Sequence, residues 1–291
     1  MLDFIVNPIA GGKHGKKTRK TVATIEAILK QKNIDYVVHF TRHKGHAKEL
    51  TAALIDKGAT DVVVVGGDGT LHEVINGFKN FDKVNLGLIP CGTGNDFAHS
   101  VKIPLNPEKA LDIIIGNTPK YTDFMQMPTV RGINVIGTGI DVDVLKKYES
   151  LKKKTKFGYT KCLIKTLFDF EYVSFTADID GAREDHHSFI ACVANGQVFG
   201  GGLVISNDAD PTNNKLNFVA VKSLKFFGIL KALIKLKRGK LHTMKQTTTK
   251  TCKSIEIITE KPCTVNVDGE LYKNVPFKVD IVSNTLKMYR P

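Results

Sequence analysis

Short apolar runs alternate with helical patterns through the first third of the chain. Apolar runs of four to six residues predict strands, and apolar residues spaced by three and four predict helices. The predicted strands are 2–6, 35–41, 61–65 and 86–90, and the predicted helices are 16–32, 47–57 and 71–78. Strands and helices that alternate in this way are typical of βα units around a parallel sheet. We therefore expect an open α/β domain over 1–122, joined by the last residues 284–291.

From about Tyr121 the pattern changes to strand-like segments separated by turn residues, with few long helices. Many short strands in succession favour an antiparallel β-sandwich. The expected second domain covers 123–283. The predicted strands after Tyr121 are 134–142, 174–181, 188–196, 216–221, 254–259, 264–270, 277–282 and 285–290, and the last of them falls in the residues expected to join the first domain.

The chain is strongly basic, with 42 Lys+Arg against 29 Asp+Glu and a formal net charge of +13. Such a charge indicates a polyanionic partner: nucleic acid, an anionic membrane or a phosphorylated ligand. The segments 146–166 and 222–240 carry much of it. On a helix, the apolar residues of 222–240 would share one side, which suits an anionic membrane surface, or equally a helix packed on the sandwich with solvated lysines. Nucleic acid is disfavoured because aromatic stacking residues do not interleave with the basic ones.

The remaining composition narrows the class of protein further. Five cysteines without CxxC pairing favour free thiols in a reducing cytosol. The histidines do not follow an HExxH or comparable spacing, which disfavours zinc. We see no signal peptide and no apolar run of about 18 residues, so we expect a cytoplasmic protein with peripheral membrane contact at most. Exposed strand edges could pair with a second copy of the chain.

Three glycine-rich turns follow strands of the first domain: NPIAGGKHGK, GGDGT and PCGTGNDFA. Loops at the carboxyl ends of parallel strands gather at one edge of a sheet, and glycine lets their backbone N–H groups approach phosphate. A single such loop can be merely a tight turn, whereas three in one sheet favour a nucleotide site. Neither a GxxxxGK[ST] loop nor a GxGxxG after a strand is present, so neither a Walker-type ATPase nor a Rossmann dehydrogenase is indicated.

These motifs resemble a known family. NPIAG, T-x-x-x-GHA, GGDGTLHEVING and PCGTGNDFA look like the nucleotide-binding half of the bacterial soluble diacylglycerol kinases, relatives of sphingosine and ceramide kinases and more distantly of NAD kinases. NGQVFGGGLVISNDA and VNVDGE extend the resemblance over nearly the whole chain. It implies ATP and Mg²⁺ as cofactors, an active site in the cleft between the two domains, and a lipid acceptor. The nucleotide-site residues implied are Asn7, Pro8, Ile9, Ala10, Gly11, Thr41, Gly66, Gly67, Gly69, Thr70, Glu73, Thr93 and Asn95.

Asp68 places a negative charge inside a loop of the phosphate-binding kind. It could attract phosphate through Mg²⁺, a hard cation that takes carboxylate oxygens. It could instead be the catalytic base, as the resemblance to sphingosine-type kinases suggests, or simply an Asx-turn or N-cap before the helix that follows.

Asp268 and Glu270 in VNVDGE form a second carboxylate pair. The local sequence predicts an ordinary hairpin, because Asp-Gly between strands favours a type I′ turn. The resemblance implies that this DGE supplies the catalytic carboxylate, without deciding which of the two residues takes the proton.

One departure from the family pattern concerns a structural Mg²⁺ site. Relatives usually carry an Asp-Gly after the glycine run, where this chain has Asn213 and Asn214, so we expect at most a weak site at Asp210 and Asn213. The leading hypothesis is an ATP-dependent lipid kinase acting on diacylglycerol or a similar lipid. The alternatives are an NAD kinase and a non-catalytic, nucleotide-sensing membrane protein on the same fold.

Overall fold

The structure is a computed structural model that describes residues 1–12, 15–151, 156–166, 170–260 and 263–291. Parts of the basic segment 146–166 therefore lie outside the described residues. The chain divides into two compact units, Met1–Asp123 with Ser283–Pro291, and Phe124–Val282.

The first unit consists of alternating strands and helices, as its apolar periodicity predicts. The strand β5 (Lys120–Gln126) leads out of it. The other elements are β1 (Leu2–Val6), α1 (Lys16–Gln31), β2 (Tyr36–Phe40), α2 (His46–Asp56), β3 (Asp61–Gly66), α3 (Asp68–Gly77), β4 (Asn85–Pro90), α4 (Asp96–Ser100) and α5 (Pro107–Gly116).

The sheet of the first unit is parallel in the order β2-β1-β3-β4. Val62 to Val65 are fully buried, as expected for a central parallel strand whose two faces are both covered by helices. In register, Val6 pairs with Val65 and Gly66 pairs with Pro90. The three glycine-rich turns therefore leave the sheet at one edge.

The second unit is built mainly of antiparallel strands. Its elements are β6 (Arg131–Gly132), β7 (Val135–Gly139), α6 (Ile140–Glu149), α7 (Lys156–Thr166), β8 (Val173–Ile179), β9 (Ala182–Ala194), β10 (Val198–Phe199), β11 (Leu203–Val204), β12 (Leu216–Lys222), α8 (Phe226–Lys237), a 3-10 turn at Leu241–Thr243, β13 (Thr247–Cys252), β14 (Ser254–Ile258), β15 (Thr264–Val267), β16 (Glu270–Lys273) and the first half of β17 (Phe277–Met288). The second half of β17, from Ser283, belongs to the first unit.

The long strand β9 joins the two layers of the sandwich. Its first half pairs with β8, and its second half lies between β7 and β12. Alternate residues of β12 face opposite ways: Phe218 and Ala220 enter the core between the layers, whereas Val219 and Val221 pack with residues of α6, α7 and α8. Both faces of this strand are covered, so it reads as a continuous apolar run.

Two sequence-based assignments in the second unit are wrong in detail, and a third needs a qualification about burial. The predicted strand 134–142 ends at Gly139, whose φ of 102° breaks the extended chain, and α6 begins at Ile140 with two acidic residues in its first turn. The predicted strands 277–282 and 285–290 form one strand, β17. The apolar residues of 222–240 do fall on one half of α8, as predicted, but only part of that half is buried, because Phe227, Leu230 and Ile234 are exposed.

The basic charge of the chain is not accompanied by a membrane-spanning segment in the part that the structure describes. No helix there is both long and apolar enough to cross a bilayer.

Candidate functional site

Two of the glycine-rich turns of the first unit touch backbone to backbone. A Cβ on Gly67 would lie 2.8 Å from the Cα of Gly92, and a Cβ on Gly92 would lie 2.5 Å from the Cα of Gly67. A side chain at either position would collide with backbone. The GGDGT and PCGTGNDFA turns therefore form one surface, and glycine is required at their contact.

The NPIAG turn joins the same surface. The Asn7 side chain donates from Nδ2 to the Thr70 hydroxyl at 3.1 Å, and its Oδ1 accepts the N–H of Ile9 at 3.1 Å. Gly11 has φ of 74°, and a Cβ there would lie 2.3 Å from the carbonyl oxygen of Cys91. Within this turn Ala10 is buried, Pro8 is half-buried and Ile9 is exposed.

Asp68 is the first residue of α3, and Gly67 rather than Asp68 is the N-cap. The N-cap interpretation of Asp68 is therefore wrong. Its Oδ1 instead accepts the N–H of Phe97 in the first turn of α4, at 3.2 Å. Gly94 lies beside the other oxygen, since a Cβ there would be 2.9 Å from Oδ2. The carboxylate thus lies at the junction of the two turns, half-buried, where an ion on that surface could reach it.

The other predicted residues of these turns differ in what their side chains do. Gly66 ends β3 directly against Thr70, and Gly69 is exposed. Asn95 is buried and holds its own turn, because Oδ1 accepts the Gly92 N–H at 2.8 Å and Nδ2 donates to the Gly92 carbonyl at 3.1 Å. Thr93 is exposed between them. Asn95 is therefore a shaping residue for the turn that presents Thr93.

Glu73 connects α3 to the loop before α2. Its Oε1 accepts the Gly45 N–H at 2.8 Å and its Oε2 accepts the Ala47 N–H at 3.0 Å. A carboxylate on these N–H groups satisfies donors that the first turn of a helix leaves unpaired. Thr41, at the start of the same loop, donates its N–H to the Val6 carbonyl at 2.9 Å. Glu73 therefore acts on the loop that carries Thr41, a role that the sequence did not suggest.

In the second unit, the carboxylate of Asp268 accepts hydrogen bonds from three backbone N–H groups. Oδ2 accepts the N–H of Ile133 at 2.7 Å, and Oδ1 accepts the N–H groups of Asn134 and Val135 at 2.9 and 3.1 Å. Asp268 and Gly269 both have positive φ, 52° and 95°, as a type I′ turn requires. The hairpin predicted from local sequence is present, and Asp268 ties it to the strand β7.

The same loop is held from its other side by the NGQVF motif. The buried Asn195 donates from Nδ2 to the Ile133 carbonyl at 2.7 Å, and Asn134 donates from Nδ2 to the Val198 carbonyl at 2.8 Å. Two motifs far apart in sequence, NGQVF and VNVDGE, are thus brought together on one loop.

Glu270 lies at the start of β16, opposite Val267 across the two-residue turn, and is half-buried. Three backbone N–H groups donate to the two Asp268 oxygens and hold this side chain in place. The catalytic role of Asp268 or Glu270 stays a prediction.

Asp210 and Asn213 lie in an exposed turn whose oxygens serve the turn itself. Asp210 Oδ1 accepts from the N–H and hydroxyl of Thr212 at 3.1 and 2.7 Å, and Asn213 Oδ1 accepts the Lys215 N–H at 3.0 Å. A cation there would compete with these bonds. The structural Mg²⁺ site stays a prediction.

An apolar pocket lies within the second unit, behind α8. Burial raises the pKa of the Asp141 carboxyl, on the pocket wall, from 3.8 to about 6, although the Asn266 side chain donates to it at 3.1 Å. The other wall residues are hydrophobic and include Leu163, Phe189, Phe199, Leu203, Leu233 and Leu236.

The structure also brings together residues that sequence reasoning passed over. Gly92 and Gly94 belong to a motif already noted, and their spacing was the available signal. His43, His46 and Glu49 converge at the start of α2 with ligand atoms within 4.8 Å of one another. Their i, i+3, i+6 spacing could have indicated this cluster, but a comparison with the HExxH motif alone does not detect it.

Comparison with known proteins gives the class first. Residues 2–127 match the diacylglycerol kinase catalytic domain family, and residues 134–290 match the YegS C-terminal NAD kinase beta sandwich-like domain family. These matches confirm the predicted architecture of a parallel α/β domain followed by an antiparallel sandwich, and together they cover most of the chain. The family matches identify the protein as a kinase.

Individual relatives support the same family assignment. The "Putative lipid kinase YtlR" of Bacillus subtilis is 27% identical over 95% of both chains, and a diacylglycerol kinase of Mycobacterium tuberculosis is 27% identical over 99% of this chain and 94% of its own length. A crystal structure titled as a "putative diacylglycerol kinase" from Bacillus anthracis shares the fold, with a TM-score of 0.80 at 24% identity over 100% of this chain and 97% of that one. The chain belongs to the bacterial soluble diacylglycerol kinase family.

Proposed function

We propose that the protein transfers the γ-phosphate of ATP to the hydroxyl of diacylglycerol or a similar lipid. The observation that carries the nucleotide half of the proposal is the Gly67–Gly92 contact, which builds one surface from two loops and leaves no room for a side chain. Such surfaces bind phosphate through backbone N–H groups.

Asp68 fits the metal that accompanies ATP. One of its oxygens already accepts an N–H, and Mg²⁺ is commonly bound at nucleotide sites through one or two carboxylates. The metal would neutralise phosphate charge during transfer. The residue types of this loop, a carboxylate among glycines and hydroxyls, suit a hard cation with oxygen ligands.

Glu270 is the proposed base. Phosphoryl transfer to a lipid needs a carboxylate that orients the acceptor hydroxyl and takes its proton. Asp268 is a positioning residue in this proposal, because its oxygens hold three backbone N–H groups of residues 133–135.

The acceptor half of the proposal rests on the exposed face of α8. Phe227, Leu230 and Ile234 are 82%, 49% and 46% exposed, and their i, i+3, i+7 spacing places them in one stripe on the helix. Lys231 and Lys237 are exposed on the same helix. An exposed apolar stripe beside lysines suits an anionic bilayer surface. We therefore propose peripheral membrane association through α8.

A panel of acceptors tests the proposal. The purified chain would be incubated with Mg²⁺, γ-labelled ATP and either dispersed diacylglycerol, other hydroxyl-bearing lipids or NAD. We expect label in a lipid product, because the exposed apolar side chains of the second unit suit a lipid better than a polar dinucleotide. Label in NAD alone would make the protein an NAD kinase. Nucleotide binding without transfer to any acceptor would favour the non-catalytic alternative.

A further inference from the structure

Two histidines and a glutamate meet on the surface of the first unit, at the start of α2. The rings of His43 and His46 stack with centroids 4.8 Å apart, and the Nε2 of His43 lies 3.9 Å from Oε2 of Glu49. His43 precedes the helix, His46 is its first residue, and Glu49 follows one turn later. The short spacing and the left-handed Gly45 between the histidines bring the three side chains to one place.

The hydrogen bonds of His43 prepare it to bind a metal. Its Nδ1 lies 3.0 Å from the Lys44 carbonyl oxygen. Since a carbonyl only accepts, Nδ1 carries the proton, and Nε2 has the lone pair. Metal-binding histidines usually donate their second ring N–H to a carbonyl in this way, which fixes the tautomer and the orientation of the ring.

His46 has its lone pair at Nδ1, whereas His43 has its lone pair at Nε2. Its Nδ1 accepts the N–H of Arg42 at 3.0 Å. A metal that binds Nδ1 replaces this one hydrogen bond and releases the Arg42 amide. Together with the presence of only three protein ligands, this makes the affinity lower than that of a structural site with four.

We propose that His43, His46 and Glu49 bind a divalent transition metal such as Zn²⁺, with water in the remaining position. Two imidazoles and one carboxylate favour Zn²⁺, Ni²⁺ or Cu²⁺ over Mg²⁺, which prefers oxygen ligands. The site does not depend on the phosphotransfer chemistry. Its effect would be to fasten the loop 41–45 to the first turn of α2, a loop that Glu73 already holds at Gly45.

Isothermal titration with Zn²⁺ tests the site directly. The full chain, freed of any affinity tag and without nucleotide, would be titrated in excess Mg²⁺ so that oxygen-only sites are filled. We expect about one Zn²⁺ per chain. His43→Ala and Glu49→Gln should each weaken binding by at least about tenfold, because loss of a ligand should cost no less than loss of an outer-shell partner. His242→Ala removes an exposed histidine outside the cluster and should leave binding unchanged.

A second measurement separates this site from adventitious binding. Zn²⁺ should increase hydrogen exchange at the Arg42 amide, because the metal takes its acceptor, and should raise the melting temperature of the wild type more than that of His43→Ala. Equal Zn²⁺ affinity in the wild type and both cluster variants would overturn the proposal, as would an absence of Zn²⁺ binding in the wild type.

Discussion

At the scale of single residues, we propose different roles for Asp268 and Glu270, a positioning residue and a base. Both belong to one DGE motif, and the hairpin they form is predictable from Asp-Gly alone. The distinction rests on the hydrogen bonds that Asp268 accepts from residues 133–135, which lie far away in sequence. No local pattern contains that information.

Asp268→Asn should destabilise the second unit. The amide can offer one oxygen where the carboxylate offered two, and its NH₂ group would face backbone N–H. Hydrogen bonds to charged groups are worth roughly 1.5–3 kcal/mol, so we expect a loss of about 2 kcal/mol or more in the free energy of unfolding. Urea unfolding measures it. Glu270→Gln is the matched control, and an equal loss in both variants would contradict the positioning role.

Asp141 makes stability depend on pH. Its folded pKa of about 6 lies above the ordinary 3.8, so the folded chain keeps this proton to higher pH than the unfolded chain does. The contribution to stability is therefore present in acid, falls as pH rises from about 4 to about 6, and is absent above that range.

Asp141→Asn tests this dependence. The unfolding free energy of the wild type relative to the variant should fall by roughly 1 kcal/mol between about pH 5 and about pH 7.5, because the variant has no proton to lose. Parallel urea curves at the two pH values measure the difference. A difference that does not change with pH, or that grows in alkali, would be inconsistent with a raised pKa.

At the scale of elements, α8 shows where hydrophobic pattern falls short. The sequence indicates a basic amphipathic helix, and Phe226–Lys237 is a helix. Only part of its apolar side is buried, at Ile229, Ala232 and Leu236. The other apolar residues, Phe227, Leu230 and Ile234, are exposed, and the pattern does not show this difference. That division depends on which face meets the strands β9 and β12.

Phe227→Trp places a single fluorescent tryptophan in the exposed apolar stripe of α8, because the chain contains no other tryptophan. With vesicles of anionic lipid, we expect a blue shift of emission and quenching by brominated acyl chains, since the stripe would enter the interface. Tyr121→Trp, at an exposed aromatic residue of the first unit, is the matched control and should be quenched much less. Equal quenching of the two, or none for Phe227→Trp, would argue against membrane contact through α8.

At the scale of the whole molecule, the order of strands and helices could be predicted, and the contacts between motifs could not. The periodicities of 61–65 and 71–78 identify β3 and α3, and the position of three glycine-rich turns at one sheet edge follows from parallel strands. The backbone contact of Gly67 with Gly92 and the bond from Phe97 to Asp68 depend on how two turns meet. Sequence reasoning also missed the helix at Ile140, because a strand-like apolar run continues past Gly139.

We propose above that this chain phosphorylates a lipid hydroxyl with Glu270 as base. The most direct measurement is mass-spectrometric detection of phosphatidate after incubation of the chain with ATP, Mg²⁺ and diacylglycerol, beside the Glu270→Gln variant. Loss of a positioned general base typically costs 10²–10⁴-fold in rate, so we predict phosphatidate from the wild type and at least about a hundredfold less from a folded variant. A diacylglycerol kinase activity that Glu270→Gln leaves intact, or no phosphorylated lipid from the wild type, would contradict it.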